Sequence, residues 1–289
     1  MKFSKYHALG NDYLVITPQE AGNLLNQPIW VQRICHRNFG IGSDGILIGP
    51  IPTPEAQFGL RIFNPDGSEA EKSGNGIRIF SRWLWDHHFV TENPFKIWTL
   101  GGIVVAEVLD ESHIVKVEMG RVSFDSQIIP VSGPRREVVN EIMEVAGETL
   151  RFSAVTIGNP HCVILCNRVT TPYVMEFGPL VERDERFPIR TNVQFMQISD
   201  QHNIDIEIWE RGAGYTLASG SSSCAAAAVA VRLGLCQSPI TVHMPGGSLK
   251  VYINSDNLVT LIGGVTRVAE GELFDDIFSD KIYPGGIPQ

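Results

Sequence analysis

The sequence predicts an α+β protein made of two domains of similar construction. Short alternating or β-branched runs, bounded by Gly, Pro, Asn and Asp, recur through both halves of the chain. Only two longer stretches have helical character. Each of them follows a similar phrase, Ser73-Gly74-Asn75-Gly76 or Ser219-Gly220-Ser221-Ser222, and the two phrases lie about half the chain apart. This repetition indicates an internal duplication.

The predicted strands are short, rich in Val, Ile, Leu and Phe, and separated by turn-forming residues. In the first half of the chain they cover residues 2–8, 13–17, 45–48, 59–63, 95–100, 103–109 and 114–119. In the second half they cover residues 150–157, 161–166, 193–198, 203–209, 240–244, 248–253 and 258–262.

The two predicted helices differ in character. In residues 75–88, Ile77, Phe80 and Leu84 recur at three- and four-residue spacing, which predicts an amphipathic helix. Residues 222–233 are almost continuous Ala and Val, which predicts a buried helix. The last residues, 283–288, are rich in Gly and Pro and are expected to form a frayed end.

The composition excludes several classes of protein. Of the 289 residues, 43% are hydrophobic and 19% are charged, which suits a globular protein with a sizeable core. Acidic residues outnumber basic ones by 32 to 23, and no Lys/Arg-rich run is present, so no nucleic-acid partner is expected. No apolar stretch reaches the ~18 residues of a membrane span, and the first residues resemble a strand rather than a signal peptide. We therefore expect no membrane partner and a cytoplasmic location.

The five cysteines are odd in number and scattered, which argues against a disulfide framework in a chain of this length. Cys162 and Cys166 lie in a predicted strand and are interpreted as buried thiols rather than metal ligands. Cys224 lies more than a helical turn beyond Ser219 and is interpreted as a packing residue. No metal site is expected.

The two glycine-rich helix starts are the candidate site. Backbone N–H groups converge at such a start and the helix dipole adds partial positive charge, so the start binds carboxylate or phosphate. Two starts facing a cleft would hold an anionic substrate and stabilise negative charge that develops during a reaction. Taken singly, either phrase is also an ordinary cap or turn.

Polar residues accompany these starts at the predicted strand ends, where each of them is also a plausible turn former. Arg211 follows Trp209 and precedes a Gly-rich loop, and its guanidinium is suited to bidentate capture of a carboxylate. A surface ion pair with Glu210 or Asp205 is the alternative for this side chain. The other polar candidates are Asn11, Asn64, Asn159 and Asn192.

Ordered motifs span nearly the whole chain. They are His7-Ala8-Leu9-Gly10-Asn11-Asp12, Gly40-Ile41-Gly42-Ser43-Asp44-Gly45, Phe63-Asn64-Pro65-Asp66-Gly67-Ser68, Gly74-Asn75-Gly76-Ile77-Arg78, Gly158-Asn159-Pro160-His161, Phe187-Pro188, Asn192-Val193 and Glu210-Arg211-Gly212-Ala213-Gly214. Together they resemble the diaminopimelate epimerases, which belong to the cofactor-independent amino-acid racemases and epimerases.

That resemblance implies two pseudo-symmetric domains, each a curved, mostly antiparallel sheet wrapped around a central helix, with the active site in the cleft. It also implies that the last strand returns to the first domain. The domains are therefore expected over residues 1–120 with 268–289, and over residues 121–267. No cofactor is implied.

The resemblance also implies roles for individual residues. In the family, one cysteine acts as a thiolate base and a second cysteine acts as a thiol acid on the opposite face of the α-carbon. Ser73 and Ser219 stand at these two positions. The implied substrate-binding residues are Asn64, Asn159, Asn192 and Arg211 for the distal carboxylate, Glu210 and His161 near the α-amino group, Gly74, Asn75, Gly220 and Ser221 for the α-carboxylate, and Asn11 beside them.

The change from thiol to hydroxyl alters the chemistry. A free thiol has a pKa of about 8.5, whereas a serine hydroxyl ionises several units higher, and each unit costs roughly 1.4 kcal/mol. Either Ser73 and Ser219 have a helper base, for which His161 and Glu210 are candidates, or another group moves the proton, or the site binds without turnover.

Three hypotheses remain open at this point. The first is a diaminopimelate epimerase-like isomerase that interconverts the LL and meso isomers by two-base proton transfer, on the route to lysine and cell-wall precursors. The second is a repurposed isomerase or lyase that uses Glu210 or His161 on a related amino acid. The third is a catalytically silent amino-acid-binding paralogue. In each case the partner is a small amino acid, and a homodimer is a further option.

Further departures from the family pattern are Gly45, Tyr215 and Ile79. Two engineered substitutions would not explain them, so they favour a natural branch of the family that has serine at both positions.

Overall fold

The computed structural model describes residues 1–22, 27–109 and 113–279. Within these ranges the chain forms eighteen strands, five α-helices and a 3₁₀ turn over Asp275–Phe278. The strands are β1 (Lys2–Ala8), β2 (Asn11–Ile16), β3 (Ile46–Ile51), β4 (Phe58–Phe63), β5 (Glu69–Ala70), β6 (Phe95–Thr99), β7 (Gly102–Leu109), β8 (Ile114–Arg121), β9 (Glu141–Val145), β10 (Glu148–Thr156), β11 (Pro160–Leu165), β12 (Asn192–Asp200), β13 (Asn203–Glu210), β14 (Gly214–Thr216), β15 (Ile240–Met244), β16 (Gly247–Ile253), β17 (Leu258–Gly264) and β18 (Thr266–Glu272). The helices are α1 (Pro18–Ala21), α2 (Pro28–Cys35), α3 (Gly74–Asp86), α4 (Thr171–Glu182) and α5 (Gly220–Arg232).

The chain divides into two compact units. Unit 1 comprises Met1–Val115 and Val265–Gln289, and unit 2 comprises Lys116–Gly264. The first division thus falls after residue 115, where the sequence places it after residue 120, and the second falls after residue 264 rather than 267. Residues 283–288, for which a frayed end is predicted, lie outside the described residues.

Unit 1 contains a mixed sheet in the order β18-β1-β2-β3-β4-β6-β7. Neighbouring strands are antiparallel except β2 with β3 and β4 with β6. The short strand β5 forms a hairpin with the end of β4. Helix α3 packs against β1, β2 and β3 in one half of the strand order and against β7 at its other end. The sheet is therefore mostly antiparallel and surrounds one central helix, as the family resemblance predicts.

Unit 2 repeats this plan in the order β9-β10-β11-β12-β13-β15-β16-β17. Its neighbours are antiparallel except β11 with β12 and β13 with β15. Strand β14 forms the hairpin with β13, in the place that β5 takes in unit 1. Helix α5 packs against strands from β10 to β17 across this sheet. The prediction of two pseudo-symmetric α+β units is confirmed.

The strand registers show which residues are equivalent in the two units. Leu14 of β2 lies opposite Ile46 of β3, as Cys162 of β11 lies opposite Val193 of β12. The next pairings, β3 with β4 and β12 with β13, keep this alignment. The equivalent positions that matter for the site are Asn11 and Asn159, Tyr13 and His161, Gly45 and Asn192, Asn64 and Glu210, and Ser73 and Ser219.

Helix α3 begins one residue before its predicted start and is buried over eleven residues, from Gly74 to Leu84. The amphipathic prediction is wrong for its polar side. Arg78 is fully buried and donates to the side chain of Asn75 over 2.8 Å, and Arg82 pairs with Asp86 at 2.7 Å. Both side chains have partners within unit 1, so periodicity alone mistakes a buried polar side for a solvated one.

Helix α5 is buried from Gly220 to Ala230, which confirms the prediction of a buried helix. Its run of Ala225–Ala228 has side chains of a single methyl group, so the surrounding strands approach the helix backbone closely. In the described ranges, no helix is long and apolar enough to cross a membrane.

Several elements have no clear signal in the sequence. Helix α4 carries Pro179 in its interior, which normally indicates a helix end. Strand β18 is exposed along most of its length and lacks alternation; its pairing with β1 specifies it. Such elements depend on contacts distant in sequence, and local pattern does not detect them.

Candidate active site

Ser73 is the N-cap of α3 in unit 1. Its backbone is extended, with φ −136° and ψ 116°, and its Oγ accepts a hydrogen bond from the backbone N–H of Gly76 over 3.0 Å. A Cβ atom at position 76 would lie 3.2 Å from Ser73 Oγ and 3.0 Å from Leu47 Cδ2. Glycine at 76 therefore lets the serine hydroxyl sit directly against the first turn of the helix.

The hydroxyl of Tyr13 lies 3.3 Å from Ser73 Oγ, within hydrogen-bond distance. Tyr13 belongs to β2 and is buried. Gly45 leaves room for its ring, because a Cβ atom at position 45 would lie 2.6 Å from Tyr13 Cε1 and 2.5 Å from the carbonyl oxygen of Phe63. Sequence reasoning singled out Gly45 as a departure from the family but missed Tyr13, although it directly follows the Gly10-Asn11-Asp12 motif.

A chain of side-chain hydrogen bonds supports the start of α3. The amide of Asn75 donates to Asn11 Oδ1 over 3.0 Å, and the amide of Asn11 donates to Asp44 over 2.9 Å. The backbone N–H of Asp12 also donates to Asp44, over 3.1 Å. Asn11 therefore connects the helix start to the loop before β3.

Charges flank this chain of hydrogen bonds. Arg37 pairs with Asp12 at 2.9 Å and with Asp44 at 2.6 Å, and Lys5 pairs with Asp12 at 2.8 Å. Burial alone would raise the pKa of the Asp12 carboxyl, but hydrogen bonds from Arg37 and Lys5 hold it below its ordinary value. Asp12 stays ionised and keeps the segment around Asn11 in place.

Asn64 follows β4 and is half-buried. Its side-chain amide donates to the Ser68 hydroxyl over 3.0 Å, and its backbone carbonyl accepts from the N–H of Gly67 over 2.9 Å. These contacts are those of a tight turn. The contacts of Asn64 are therefore those expected of a turn former. In the strand registers, Asn64 is equivalent to Glu210 of unit 2.

Ser219 is the N-cap of α5 in unit 2, with φ −144° and ψ 127°, but its side chain makes no capping hydrogen bond. The residue is only 5% exposed. Its carbonyl oxygen accepts from the N–H of Ser223 over 3.0 Å and from the Ser223 hydroxyl over 2.8 Å. Ser73 and Ser219 thus occupy equivalent places but have different hydrogen bonds.

His161 lies fully buried in β11, with Nε2 2.9 Å from Asn159 Oδ1. Burial lowers its pKa to about 3, the neighbouring Gln194 side chain opposes this effect, and the positive charge of Arg211 adds to it. The imidazole is neutral at neutral pH and is a weak base. This argues against His161 as the helper base for a serine.

Glu210 and Arg211 lie where β13 turns into β14. The backbone N–H of Arg211 donates to Asn192 Oδ1 over 3.0 Å, and the Asn192 amide donates to the carbonyl oxygen of Pro160 over 2.9 Å. The Arg211 guanidinium is half-buried, with Nη1 3.5 Å from the carbonyl oxygen of Ile189. The Asn192 side chain therefore joins the backbone of Arg211, after β13, to the backbone of Pro160 in β11.

The buried carboxylate of Glu182, at the end of α4, holds the same loop. Its two oxygens accept from Trp209 Nε1 over 2.8 Å and from the N–H of Gly212 over 3.0 Å. Gly212 has φ 77°, a conformation that favours glycine. No sequence signal pointed to Glu182, because a single acidic residue at the end of an apolar helix normally lies in solvent.

Tyr215 contacts a neighbouring acidic side chain of unit 2. Its hydroxyl donates to Glu207 over 3.1 Å, and the Thr171 hydroxyl donates to the other oxygen of the same carboxylate over 3.1 Å. The departure at position 215 therefore has a structural role between β13, β14 and α4.

The cysteines remain thiols. Burial raises the pKa of Cys35 to about 12 and of Cys166 to about 11, and raises it well above the ordinary value for Cys162. Cys224 is buried in α5, and none of the five forms a disulfide. Among the described residues, no group of three or more His, Cys, Asp and Glu side chains is arranged to hold a metal ion.

Comparison with known proteins places this arrangement in a family. A family model described as diaminopimelate epimerase matches residues 3–124 and 153–268. The chain is 58% identical over 279 residues to Diaminopimelate epimerase 2 of Nostoc sp. strain PCC 7120, covering 96% of this chain and 98% of that protein. It is 37% identical over 284 residues to the diaminopimelate epimerase of Desulfitobacterium hafniense, covering 96% of this chain and all of that protein, 100%.

Among solved structures, a hydroxyproline epimerase from Agrobacterium vitis with bound trans-4-hydroxy-L-proline superposes with a TM-score of 0.71. The identity is 13%, and the match covers 94% of this chain and 90% of that one, so it shows the shared fold alone. The family model and the two sequence relatives cover nearly the whole chain. The chain belongs to the diaminopimelate epimerase family.

Proposed function

We propose that this chain inverts the α-carbon of diaminopimelate, interconverting its LL and meso isomers without a cofactor, as a step toward lysine and cell-wall precursors. One observation carries the proposal: a serine hydroxyl at the N-cap of a buried, glycine-initiated helix occurs at equivalent places in both units, as Ser73 and Ser219. In the family these are the positions of the two groups that move the α-proton. The names of the relatives support diaminopimelate as the substrate.

The α-carboxylate is the group that the helix starts bind. The first N–H groups of a helix have no acceptor within it, and they point out of its N-terminus together with the positive end of the dipole. We assign the α-carboxylate to the starts of α3, at Gly74 and Asn75, and of α5, at Gly220 and Ser221. Their side of the substrate is also where negative charge develops once the α-proton leaves.

Arg211 is the residue that we assign to the distal carboxylate, with Asn64 and Asn159 as amide donors. Arg211 forms the bidentate pair that planar carboxylates favour. Asn192, which we also assign to the distal carboxylate, holds the backbone of Arg211 as well, because its amide oxygen accepts from the Arg211 N–H at 3.0 Å. We assign the carboxylate of Glu210 to the α-ammonium group, the role that the family resemblance implies.

Asn11, which we also assign to substrate binding, supports Asn75 as well, because its amide oxygen accepts from the Asn75 amide at 3.0 Å. Ser73 and Ser219 then exchange the α-proton: the serine that removes it first gives its own hydroxyl proton to water, and the other serine returns a proton to the opposite face of the α-carbon. His161 does not assist them as a base, since burial lowers its pKa to about 3. The relatives named as epimerases do not favour the two alternatives, a single acid/base lyase or a silent paralogue.

The test is isomer interconversion by the purified chain with no added cofactor. Starting from LL-diaminopimelate or from the meso isomer, chiral chromatography is expected to show the same final mixture. Lysine is expected to remain unchanged, because it lacks the distal carboxylate that we assign to Arg211. A folded protein that converts neither diaminopimelate isomer, or that racemises lysine equally well, would contradict the proposal.

We also place the reaction in the cytoplasm and without a nucleic-acid partner. The formal net charge of −9 supports the second statement, since a polyanion would be repelled. Homodimer formation stays a prediction, and light scattering at several protein concentrations tests it.

A further inference from the structure

Proton transfer through a serine needs a more acidic partner. When a serine hydroxyl gives its proton to a carbanion, an alkoxide is left behind, and this is far less stable than a thiolate. A phenol loses its proton near a pKa of 10, close to a thiol and well below an aliphatic hydroxyl. A phenolic hydroxyl in contact with the serine would therefore remove much of the cost of the missing thiol.

Unit 1 has such a contact. Tyr13 Oη lies 3.3 Å from Ser73 Oγ, and either atom can be the donor. Ser73 Oγ already accepts from the N–H of Gly76 over 3.0 Å, which leaves one lone pair and its own proton. The lone pair can accept the phenolic proton while the serine proton points elsewhere, so the geometry permits a proton to pass from Tyr13 to Ser73.

The surroundings fix the tyrosine in this place. Tyr13 is buried in β2, directly opposite Tyr6 of β1. Position 45 is a glycine, and a side chain there would collide with the Tyr13 ring at 2.6 Å. The equivalent position in unit 2 holds His161, which pairs with Asn159 at 2.9 Å. The contact between an ionisable ring and the N-cap serine is thus a feature of unit 1.

We propose that Tyr13 acts through Ser73 as a proton relay, replacing the acidity that a thiol would supply at this position. This inference rests on the proposed function. As the α-carbanion is protonated, the Ser73 O–H bond breaks and a C–H bond forms; the Tyr13 O–H bond breaks and its proton forms the new O–H bond on Ser73. The negative charge moves from carbon to the phenolate oxygen of Tyr13, which recovers a proton from water.

In the reverse direction the same atoms move backwards. The phenolate of Tyr13 takes the Ser73 proton while Ser73 Oγ takes the α-proton. Tyr13 does not contact the substrate in this scheme, and its effect appears only when residue 73 is a poor acid and base. A tyrosine that only supports the fold would instead have the same effect whichever residue is at position 73.

The test is a double-mutant cycle with Tyr13→Phe and Ser73→Cys. With serine at 73, Tyr13→Phe is expected to lower kcat for diaminopimelate about 100-fold or more and to leave KM within about 2-fold, the scale of one acid–base group. With Ser73→Cys in place, the same Tyr13→Phe change is expected to alter kcat by less than about 3-fold, because a thiol needs no relay.

Tyr6→Phe is the matched control. Tyr6 is a buried tyrosine in the adjacent strand, and its hydroxyl donates to Asp86 over 2.9 Å. Its removal is expected to leave kcat within about 2-fold. Thermal unfolding of each variant checks that Tyr13→Phe is folded. If Tyr13→Phe does not fold, difluorotyrosine is placed at position 13 instead. Its more acidic phenol should change kcat when residue 73 is serine but not when residue 73 is cysteine.

Several results would overturn the relay. An equal loss in the Ser73 and Ser73→Cys backgrounds would mean that Tyr13 only supports the fold, and an unchanged kcat with serine at 73 would mean that it has no role. If the wild-type chain turns over diaminopimelate, either result overturns the relay alone. If the wild-type chain shows no turnover, the proposed function falls and the relay falls with it.

Discussion

In the proposed function, Arg211 binds the distal carboxylate, the group that distinguishes diaminopimelate from lysine. Arg211→Ala would leave the second carboxylate of diaminopimelate without its charged partner, and we expect binding to weaken by roughly 2–5 kcal/mol. Arg211→Lys should restore binding only in part, because an ammonium group does not form the bidentate pair. Calorimetric titration with diaminopimelate measures both effects.

Arg168→Ala is the control for this titration, since Arg168 is an exposed arginine of the same unit. It should bind diaminopimelate as the wild type does. Near wild-type affinity in Arg211→Ala would show that the substrate is held elsewhere.

His161 makes a prediction about pH and stability. Its pKa is about 3 in the folded protein against an ordinary 6.5, so the unfolded chain binds a proton between these values that the folded chain does not. The contribution of neutral His161 to stability is full above pH 6.5 and is lost as pH falls toward 3, at up to ~1.4 kcal/mol per pH unit. Between pH 7 and pH 5, His161→Gln should therefore lose less stability than the wild type, by about 2 kcal/mol.

Urea unfolding at the two pH values measures this difference. His88→Asn serves as the control, because His88 is exposed and has φ 59°, which asparagine tolerates. A His161→Gln variant that loses as much stability as the wild type would contradict the lowered pKa.

At the scale of elements, the two helix starts are alike in sequence but different in hydrogen bonding. Ser73 caps α3 through its side chain, whereas Ser219 makes no such bond to α5. Ser73→Ala should thus lower the free energy of unfolding by about 1 kcal/mol, and Ser219→Ala by less than about 0.5 kcal/mol. Each variant is compared with wild type by urea unfolding, and equal losses would show that the two caps do not differ.

The helix starts could be predicted from sequence because a cap is a local signal. Serine followed by glycine precedes both helices, and the strands around them are bounded by turn residues. The interior of α4 gave no such signal, since Pro179 normally ends a helix. The buried side of α3 was also missed, because Arg78 and Arg82 have partners within unit 1 that periodicity does not reveal.

Site residues that lie in a sequence motif could be predicted. Contacts between residues distant in sequence could not. Asn192 and Arg211 were both found, but their hydrogen bond, which makes Asn192 a support, depends on the pairing of β12 with β13. Tyr13 lies 60 residues from Ser73 along the chain, and only the position of β2 beside α3 brings them together.

At the scale of the whole molecule, the chain is a duplication whose two units have diverged at their equivalent positions. The registers relate Tyr13 to His161, and the N-caps relate Ser73 to Ser219. In unit 1 the Tyr13 hydroxyl contacts Ser73. In unit 2 the equivalent ring, His161, instead contacts Asn159, and burial lowers its pKa. In the proposed mechanism each unit supplies one hydroxyl, so we expect inversion to need both, although the two need not contribute equally to each direction.

The central claim is that Ser73 and Ser219 carry the proton transfer, and α-proton exchange in D₂O tests it most directly. For wild type, Ser73→Ala and Ser219→Ala, mass spectrometry follows deuterium incorporation into LL- and meso-diaminopimelate, and chiral chromatography of the same samples follows inversion. Ser81→Ala is the control, because Ser81 is a buried serine within α3 that donates to the carbonyl oxygen of Ile77 over 2.7 Å. We predict exchange with both isomers for the wild type and Ser81→Ala, and a loss of 100-fold or more, about that of one acid–base group, in inversion for each of the other variants. Wild-type exchange that persists unchanged in both Ser73→Ala and Ser219→Ala would contradict the claim.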